Sequence, residues 1–206
     1  MSETATAAGP AVRSALVRGD DGRDRCAWSA SDAEYRRYHD EEWGTPLHGD
    51  RELFEKLSLE GFQAGLSWIT ILRRRPAFRE AFFDFDPERV AALSTADVDA
   101  LTQNAAIIRN RAKIEATVSN ARLVLELGRE QPGALDRLLW SFAPTSDRAR
   151  PADFGAVPAV TPESTAMSKA LRARGFRFVG PTTMYALMQS TGMVDDHVTG
   201  CWRSDS

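Results

Sequence analysis

Apolar residues recur along this chain at spacings of three and four, the signature of helices burying one face each. Leu53, Phe54, Leu57 and Leu59 form the first clear stripe, with Asp50 placed to cap it. Residues 69–72 make a short apolar run ending in Arg73, Arg74 and Arg75, and Pro76 is expected to restart the chain. Pro87 opens a short helix through Val90 and Leu93, and Ser94 or Thr95 caps the next, with Val98 and Leu101 inside. A break at 104–108 precedes the longest amphipathic stretch, 109–130, where Ile114, Val118, Ala121, Val124 and Leu125 follow the helical period. A short helix at 135–142 comes next. A loop broken by Pro144, Pro151 and Pro158 then leads to Thr161 and Pro162, a cap and first turn for a helix that Gly175 can close. Residues 182–190 read as helical again. With no strand-like alternation of useful length and no internal repeat, the expected fold class is all-α.

Composition narrows this picture without changing it. At 206 residues, 43% hydrophobic and 27% charged, the chain suits one globular domain, or one with a second lobe. No apolar run is long enough to cross a bilayer, so no membrane partner is expected. Residues 1–24 are rich in Ala, Ser, Thr, Gly and charge and lack the apolar block of a signal peptide. They are expected to be a disordered tail, leaving 25–206 as the folded domain. Two distant cysteines do not make a secreted, disulfide-stapled scaffold, and a cytoplasmic location is the expectation. The net charge of −3 gives no bulk attraction to nucleic acid. Locally, however, Arg73–75, the alternation of Arg109, Arg111 and Lys113, and the group Lys169, Arg172, Arg174 and Arg177 are cationic enough to meet phosphate.

Four residues stand out as metal ligands. Cys26 lies near His39, while His197 and Cys201 are four apart and share a helical face. Together they make a closed Cys2His2 set, which suits a structural zinc tying the N-terminal segment to the C-terminal one. A disulfide, or two buried pairs without metal, would use the same residues. Glu60 sits among Leu59, Phe62, Ala64 and Leu66, where a carboxylate needs a partner or a task. Gly61 and Gly65 allow close approach of another chain, and Trp68 follows. Trp28, Tyr35, Tyr38 and Trp43 surround the first ligand pair in sequence. An acid with several aromatics can hold a flipped, electron-poor base by stacking and by an edge hydrogen bond, although most aromatics simply fill cores. Residues 96–113 read as helix, break and helix with basic residues following, a form able to aim backbone N–H groups at phosphate.

Taken together, RCAW at 25–28, YRRYHDEEWG at 35–44, LEGFQAGLSWITIL at 59–72, IIRNRAKI at 107–114, WSF at 140–142, SKALRARGFRFVG at 168–180 and MVDDHVTGC at 193–201 make a chain that resembles the DNA-3-methyladenine glycosylase I family, within the helix-hairpin-helix DNA glycosylase superfamily. The resemblance runs from Arg25 to Cys201. It implies a helix-hairpin-helix element at about 96–130 and a structural Zn2+ on Cys26, His39, His197 and Cys201. Glu60 matches the acid that hydrogen-bonds the adenine edge. Tyr38 and Trp68 match residues that contact and stack on the base, and Trp28, Tyr35 and Trp43 complete the wall. Gly65 and Leu66 match the segment that probes the gap in the duplex, and the segment holding Arg109, Arg111 and Lys113 matches the phosphate-gripping hairpin. The family hairpin often has glycine where this chain has Ala106 and Ala112, which would matter if either position required a positive φ.

The implied activity is hydrolysis of the N-glycosidic bond of 3-methyladenine in double-stranded alkylated DNA by a monomer, releasing the free base and leaving an abasic site. Many superfamily relatives carry a catalytic Asp after the hairpin, but here none occurs between Asp99 and Asp136. Nor does the helix after the hairpin offer a lysine beyond Lys113 for a Schiff base, so lyase chemistry is not expected. Alternatives from the same residues are a glycosylase for a different or bulkier alkylpurine and a non-catalytic module that binds damaged DNA. A zinc hydrolase would need an open coordination position.

Overall fold

Helices carry almost all the regular structure in the computed structural model, which describes residues 14–146 and 148–205. In chain order they are α1 (Ala33–Glu41), α2 (Asp50–Gln63), α3 (Trp68–Ala81), α4 (Pro87–Ala91), α5 (Thr95–Leu101), α6 (Arg111–Glu130), α7 (Ala134–Trp140), α8 (Pro162–Ala173) and α9 (Pro181–Ser190). Before them runs a small antiparallel hairpin, β1 (Leu16–Arg18) and β2 (Asp24–Cys26), with Leu16 opposite Cys26 and Arg18 opposite Asp24. Among the described residues no helix is long and apolar enough to cross a membrane.

That hairpin corrects one expectation. Residues 14–24, assigned to a disordered tail, are ordered, and Arg25 supplies the reason. Its guanidinium, 4% exposed, donates to the carboxylates of Asp21 and Asp40, pinning the hairpin onto α1. Residues 1–13 of the expected tail lie outside the described residues. Helix α1 was also not marked by the hydrophobic pattern. Asp32 caps it by accepting from Glu34 N, and only Tyr38 and His39 are buried on it.

Helix α2 is the axis of the molecule. From Leu53 to Phe62 nearly every residue is buried, polar ones included, because α3, α6, α7 and α9 pack around it. A helix enclosed on all sides loses its amphipathic stripe. Asp50 does not cap α2. It is the first residue of the helix, and its Oδ1 accepts from Asp136 N at 2.8 Å while Asp136 Oδ2 accepts from Gly49 N at 2.6 Å. Each aspartate thus serves the other's helix start.

Pro76 does not restart the chain either. Helix α3 runs through it, at the cost of one backbone hydrogen bond. Ile71 and Phe78, one helical face apart by seven residues, are both fully buried, and that packing overrides the break. Of the expected caps, Ser94 rather than Thr95 caps α5 and Thr161 caps α8, each in a reciprocal pair, with Asp97 and Ser164 respectively. The turn between α5 and α6 is held by Asn104, whose side chain accepts from Ala106 N, and by Asn110, which caps α6 at Lys113 N. Neither Ala106 nor Ala112 has a positive φ, so alanine fits both places without strain.

Two apolar clusters result. The larger surrounds α2 and takes in Ile114, Val118, Leu171 and Met188. The smaller holds Cys26, Tyr38, Trp43, Leu72, Val198 and Cys201, with Trp28, Tyr35 and Trp68 against it.

Candidate active site

Four ligand atoms converge in the smaller cluster. Those of Cys26, His39, His197 and Cys201 all lie within 4.8 Å of one another, and all four residues are buried. Cys201 Sγ is 3.4 Å from His39 Nε2 and 3.6 Å from His197 Nδ1, and Cys26 Sγ is 3.7 Å from His197 Nδ1. The outer nitrogens of both rings face acceptors. His39 Nδ1 meets the Asp40 carboxylate at 2.8 Å and His197 Nε2 meets the Trp43 carbonyl at 3.2 Å, groups that only accept. A proton held on each outer nitrogen by these acceptors leaves the inner nitrogen to ligate a metal, the arrangement usual for metal-bound histidine. Such a cluster can hold a metal ion between β2, α1 and the C-terminal segment.

The aromatic residues stand directly against this cluster. The Trp43 ring is 4.6 Å from His197, and Trp28 is 5.4 Å from His39 and 5.2 Å from Trp43, centroid to centroid. Trp28 also meets Tyr35 edge-on at 5.3 Å, and Tyr38 meets Trp68 at 5.5 Å. These five rings line a cavity of about 240 Å³, together with Glu60, Gln63, Phe154, Val157, Ala186, Gln189 and Ser190. The Tyr35 hydroxyl is already engaged, accepting from Ile69 N at the start of α3. Tyr38 is buried, and that burial, then the nearby Glu60 carboxylate, keeps its phenol protonated.

Glu60 is the one carboxylate in this lining. It is 3% exposed, and its Oε2 has no hydrogen-bond partner among the described residues, nor does Trp68 Nε1. Burial pushes its carboxyl up to about 7, against the pull of Lys56 and of the Ser190 hydroxyl. Lys56 lies one turn earlier on α2 and is buried as well. Its ammonium sits 3.5 Å from Glu42 Oε2, 4.8 Å over the Tyr38 ring and 5.9 Å over Trp68. Burial, then Arg75, lowers the Lys56 pKa, with Glu42 and Glu60 opposing. Glu42 feels burial in the other direction, but Lys56 and Arg75 outweigh it and hold the carboxylate down at about 2. The cavity thus has an apolar wall, one underused acid, and a compensated ionic layer behind it.

The residues expected to face DNA divide. Gly65 has φ +85 with open space around it, and Leu66 is 42% exposed, so the loop between α2 and α3 projects an apolar side chain into solvent. Arg109 is exposed and makes no ion pair among the described residues. Arg111 is exposed but paired with Asp99 and, at 3.6 Å, with Glu115. Lys113 corrects the expectation: its ammonium turns inward and donates to Phe62 O at 2.8 Å and Ala64 O at 2.6 Å. It closes the carbonyl end of α2, where a cation is favoured. The arginine triplet is likewise committed. Arg73 pairs with Asp32, Arg74 holds Ala105 O at the hairpin turn, and Arg75 bridges Glu42 and Glu55.

Residues 28–204 match the family model for methyladenine glycosylase. The chain belongs to that family. The DNA-3-methyladenine glycosylase of Haemophilus influenzae is 47% identical over 178 residues, 86% of this chain and 96% of the relative. A solved 3-methyladenine DNA glycosylase I gives a TM-score of 0.83 at 46% identity, covering 86% of this chain and 98% of that one. A tyrosine-to-phenylalanine variant of such an enzyme, in complex with 3-methyladenine, gives 0.81 at 35% identity, covering 86% and 96%.

Within this member of the methyladenine glycosylase family, several residues in the cavity wall, and Lys56 behind it, escaped the sequence reading. Lys56 carried a usable signal, since it precedes Glu60 by four residues and so shares its helical face. Gln189 and Ser190 end α9, with Gln189 Nε2 donating to the buried Asp196 carboxylate at 2.9 Å. Phe154 and Val157 come from the proline-rich loop, where no periodicity points to a site.

Proposed function

We propose that this protein is a base-excision repair glycosylase that hydrolyses the bond between 3-methyladenine and deoxyribose in alkylated double-stranded DNA. The observation that carries this reading is Glu60, a buried carboxylate with an unpartnered oxygen inside an aromatic cavity. A base turned out of the duplex stacks on Trp68 and Tyr38, with Trp28, Tyr35 and Trp43 closing the wall. Glu60 accepts from the exocyclic amine. Guanine presents a carbonyl oxygen there, and two acceptors would face each other.

The substrate supplies much of its own reactivity. Alkylation at N3 places positive charge on the nucleotide, so the ring leaves as a neutral base when the C1′–N9 bond breaks. Water then adds at C1′ and loses a proton, which leaves the abasic sugar. This chain needs to bind, orient and extrude rather than to protonate the leaving group. Leu66, on the Gly65 turn, fills the gap. The α5–turn–α6 element acts as the helix-hairpin-helix grip, with Arg109 and the first-turn N–H groups of α6 toward phosphate and Arg111 beside them.

Zinc fits the Cys26, His39, His197 and Cys201 cluster. Bonds of about 2.3 Å to sulfur and 2.0–2.1 Å to nitrogen give tetrahedral S···N edges of about 3.6 Å, beside observed separations of 3.4, 3.6 and 3.7 Å. With four protein ligands it offers no place for water, so its contribution is to hold the wall that carries Tyr38, Trp28 and Trp43. The protein is proposed to act as a monomer in the cytoplasm, since one flipped base needs one cavity and the buried thiols suit a reducing compartment.

Titration of free 3-methyladenine and free 3-methylguanine into the protein, read by tryptophan emission, tests the cavity assignment. Saturable quenching by the adenine alone is expected. Equal response to both bases, or to neither, contradicts the role given to Glu60.

A further inference from the structure

Phe178 has a backbone φ of +57, a conformation unfavourable for any side chain with a Cβ. Among the described residues, the other left-handed ones apart from glycine, Phe83, Asp84 and Phe85, form one turn between α3 and α4, anchored by the fully buried Phe85. Phe178 has no such anchor, for it is 36% exposed. Instead the chain on either side of it is clamped by buried polar side chains. Asn120 of α6 accepts from Arg177 N at 2.9 Å and donates to Arg177 O at 3.1 Å, and Ser168 of α8 donates to Val179 O at 2.6 Å. Two buried hydrogen-bonding groups are thus spent on holding an exposed aromatic ring in a strained backbone.

Its surroundings say what the ring faces. A Cβ built on Gly61 would lie 3.3 Å from Phe178 Cβ, so the segment packs on α2 one residue from Glu60. The ring is 5.9 Å from the Lys113 ammonium, which itself holds Ala64 O at the root of the Gly65–Leu66 loop. Arg177, next in the chain, is exposed and makes no ion pair among the described residues.

We propose that Phe178 is a second prong on the DNA-facing surface, stacking on a base left exposed in the duplex when the damaged nucleotide is extruded and Leu66 enters the gap. This rests on the glycosylase reading above. Aromatic stacking on a base is insensitive to sequence, which suits an enzyme that must act wherever the lesion falls.

The test measures binding to a duplex carrying a tetrahydrofuran abasic analogue, binding to the same duplex intact, free 3-methyladenine binding, and base release from methylated duplex DNA. Wild type is compared with Phe178→Ala, Phe178→Gly and Phe178→Tyr. The alanine and glycine variants are expected to lose about tenfold in preference for the abasic duplex and in base release, with free-base binding unchanged. Tyrosine is expected to retain both. Glycine, which relieves the positive φ, is expected to melt no lower than alanine. Abasic-duplex preference equal to wild type in both ring-less variants overturns the proposal. So does a parallel loss of free-base binding, since the ring would then only support the cavity. A wild type that prefers the abasic duplex but releases no base would defeat the glycosylase reading and leave the Phe178 contact measurable.

Discussion

Glu60 is held in tension by its neighbours: burial favours the protonated acid, while Lys56 and the Ser190 hydroxyl favour the carboxylate. If the ionised form is the one that accepts from the base, excision should rise with pH as Glu60 ionises through about 7. Stability should move the other way. A carboxyl raised from 4.5 to about 7 on folding contributes stability present below 4.5 and lost as pH rises through the folded value. Lys56→Met removes the opposing positive charge, so the limb in kcat/KM should shift to higher pH; an unmoved limb would detach Lys56 from Glu60. Glu60 was legible in the sequence because its neighbours are apolar. Lys56 was legible by spacing alone. Glu42 and Arg75, which complete the ionic layer, come from other parts of the fold and leave no local trace.

Lys113, in the first turn of α6, and Arg109, just before its cap, are four residues apart and do different work. Lys113→Met leaves the carbonyls of Phe62 and Ala64 without their charged donor, a loss of about 1.5–3 kcal/mol by urea unfolding, with little change in the salt dependence of DNA binding. Arg109→Ala should do the reverse, leaving stability intact and reducing the slope of log K against log salt by about 0.9, one phosphate contact. A slope unchanged by Arg109→Ala, or lowered by Lys113→Met, would exchange their assignments. At this scale the sequence marked helix starts well where a local cap decided them, as at Ser94 and Thr161. It failed where tertiary packing decided: Pro76 is carried inside α3 by Ile71 and Phe78, and Asp50 is drawn away to α7 by Asp136. Alternating cations suggested a common face, yet a lysine stem is long enough to turn inward to free carbonyls.

Over the whole molecule, the Cys26, His39, His197 and Cys201 cluster joins chain ends that no other described metal cluster spans, and those four residues were legible because the chain has so few thiols and imidazoles. The β1–β2 hairpin was not, since its order depends on Arg25 reaching Asp40 rather than on strand pattern. Cys201→Ala, or chelation, should release one zinc per chain by metal analysis. It should also lower Tm by about 5–15 °C, as expected for loss of a ligand held at 100 to 1,000 times its Kd in a domain of this size. Native protein free of zinc would remove the metal assignment and leave the cavity argument standing.

This cavity, with Glu60 in its wall, is proposed to remove alkylated adenine from DNA. Methylated duplex DNA incubated with the purified protein, followed by chromatography of the released bases, tests it most directly, with Glu60→Gln alongside. Free 3-methyladenine is expected from the wild type, with a rate lower by about tenfold to a hundredfold in the variant, the effect of losing one charge-assisted hydrogen bond of about 1.5–3 kcal/mol. Tight binding without release, or an undiminished rate from Glu60→Gln, would contradict it.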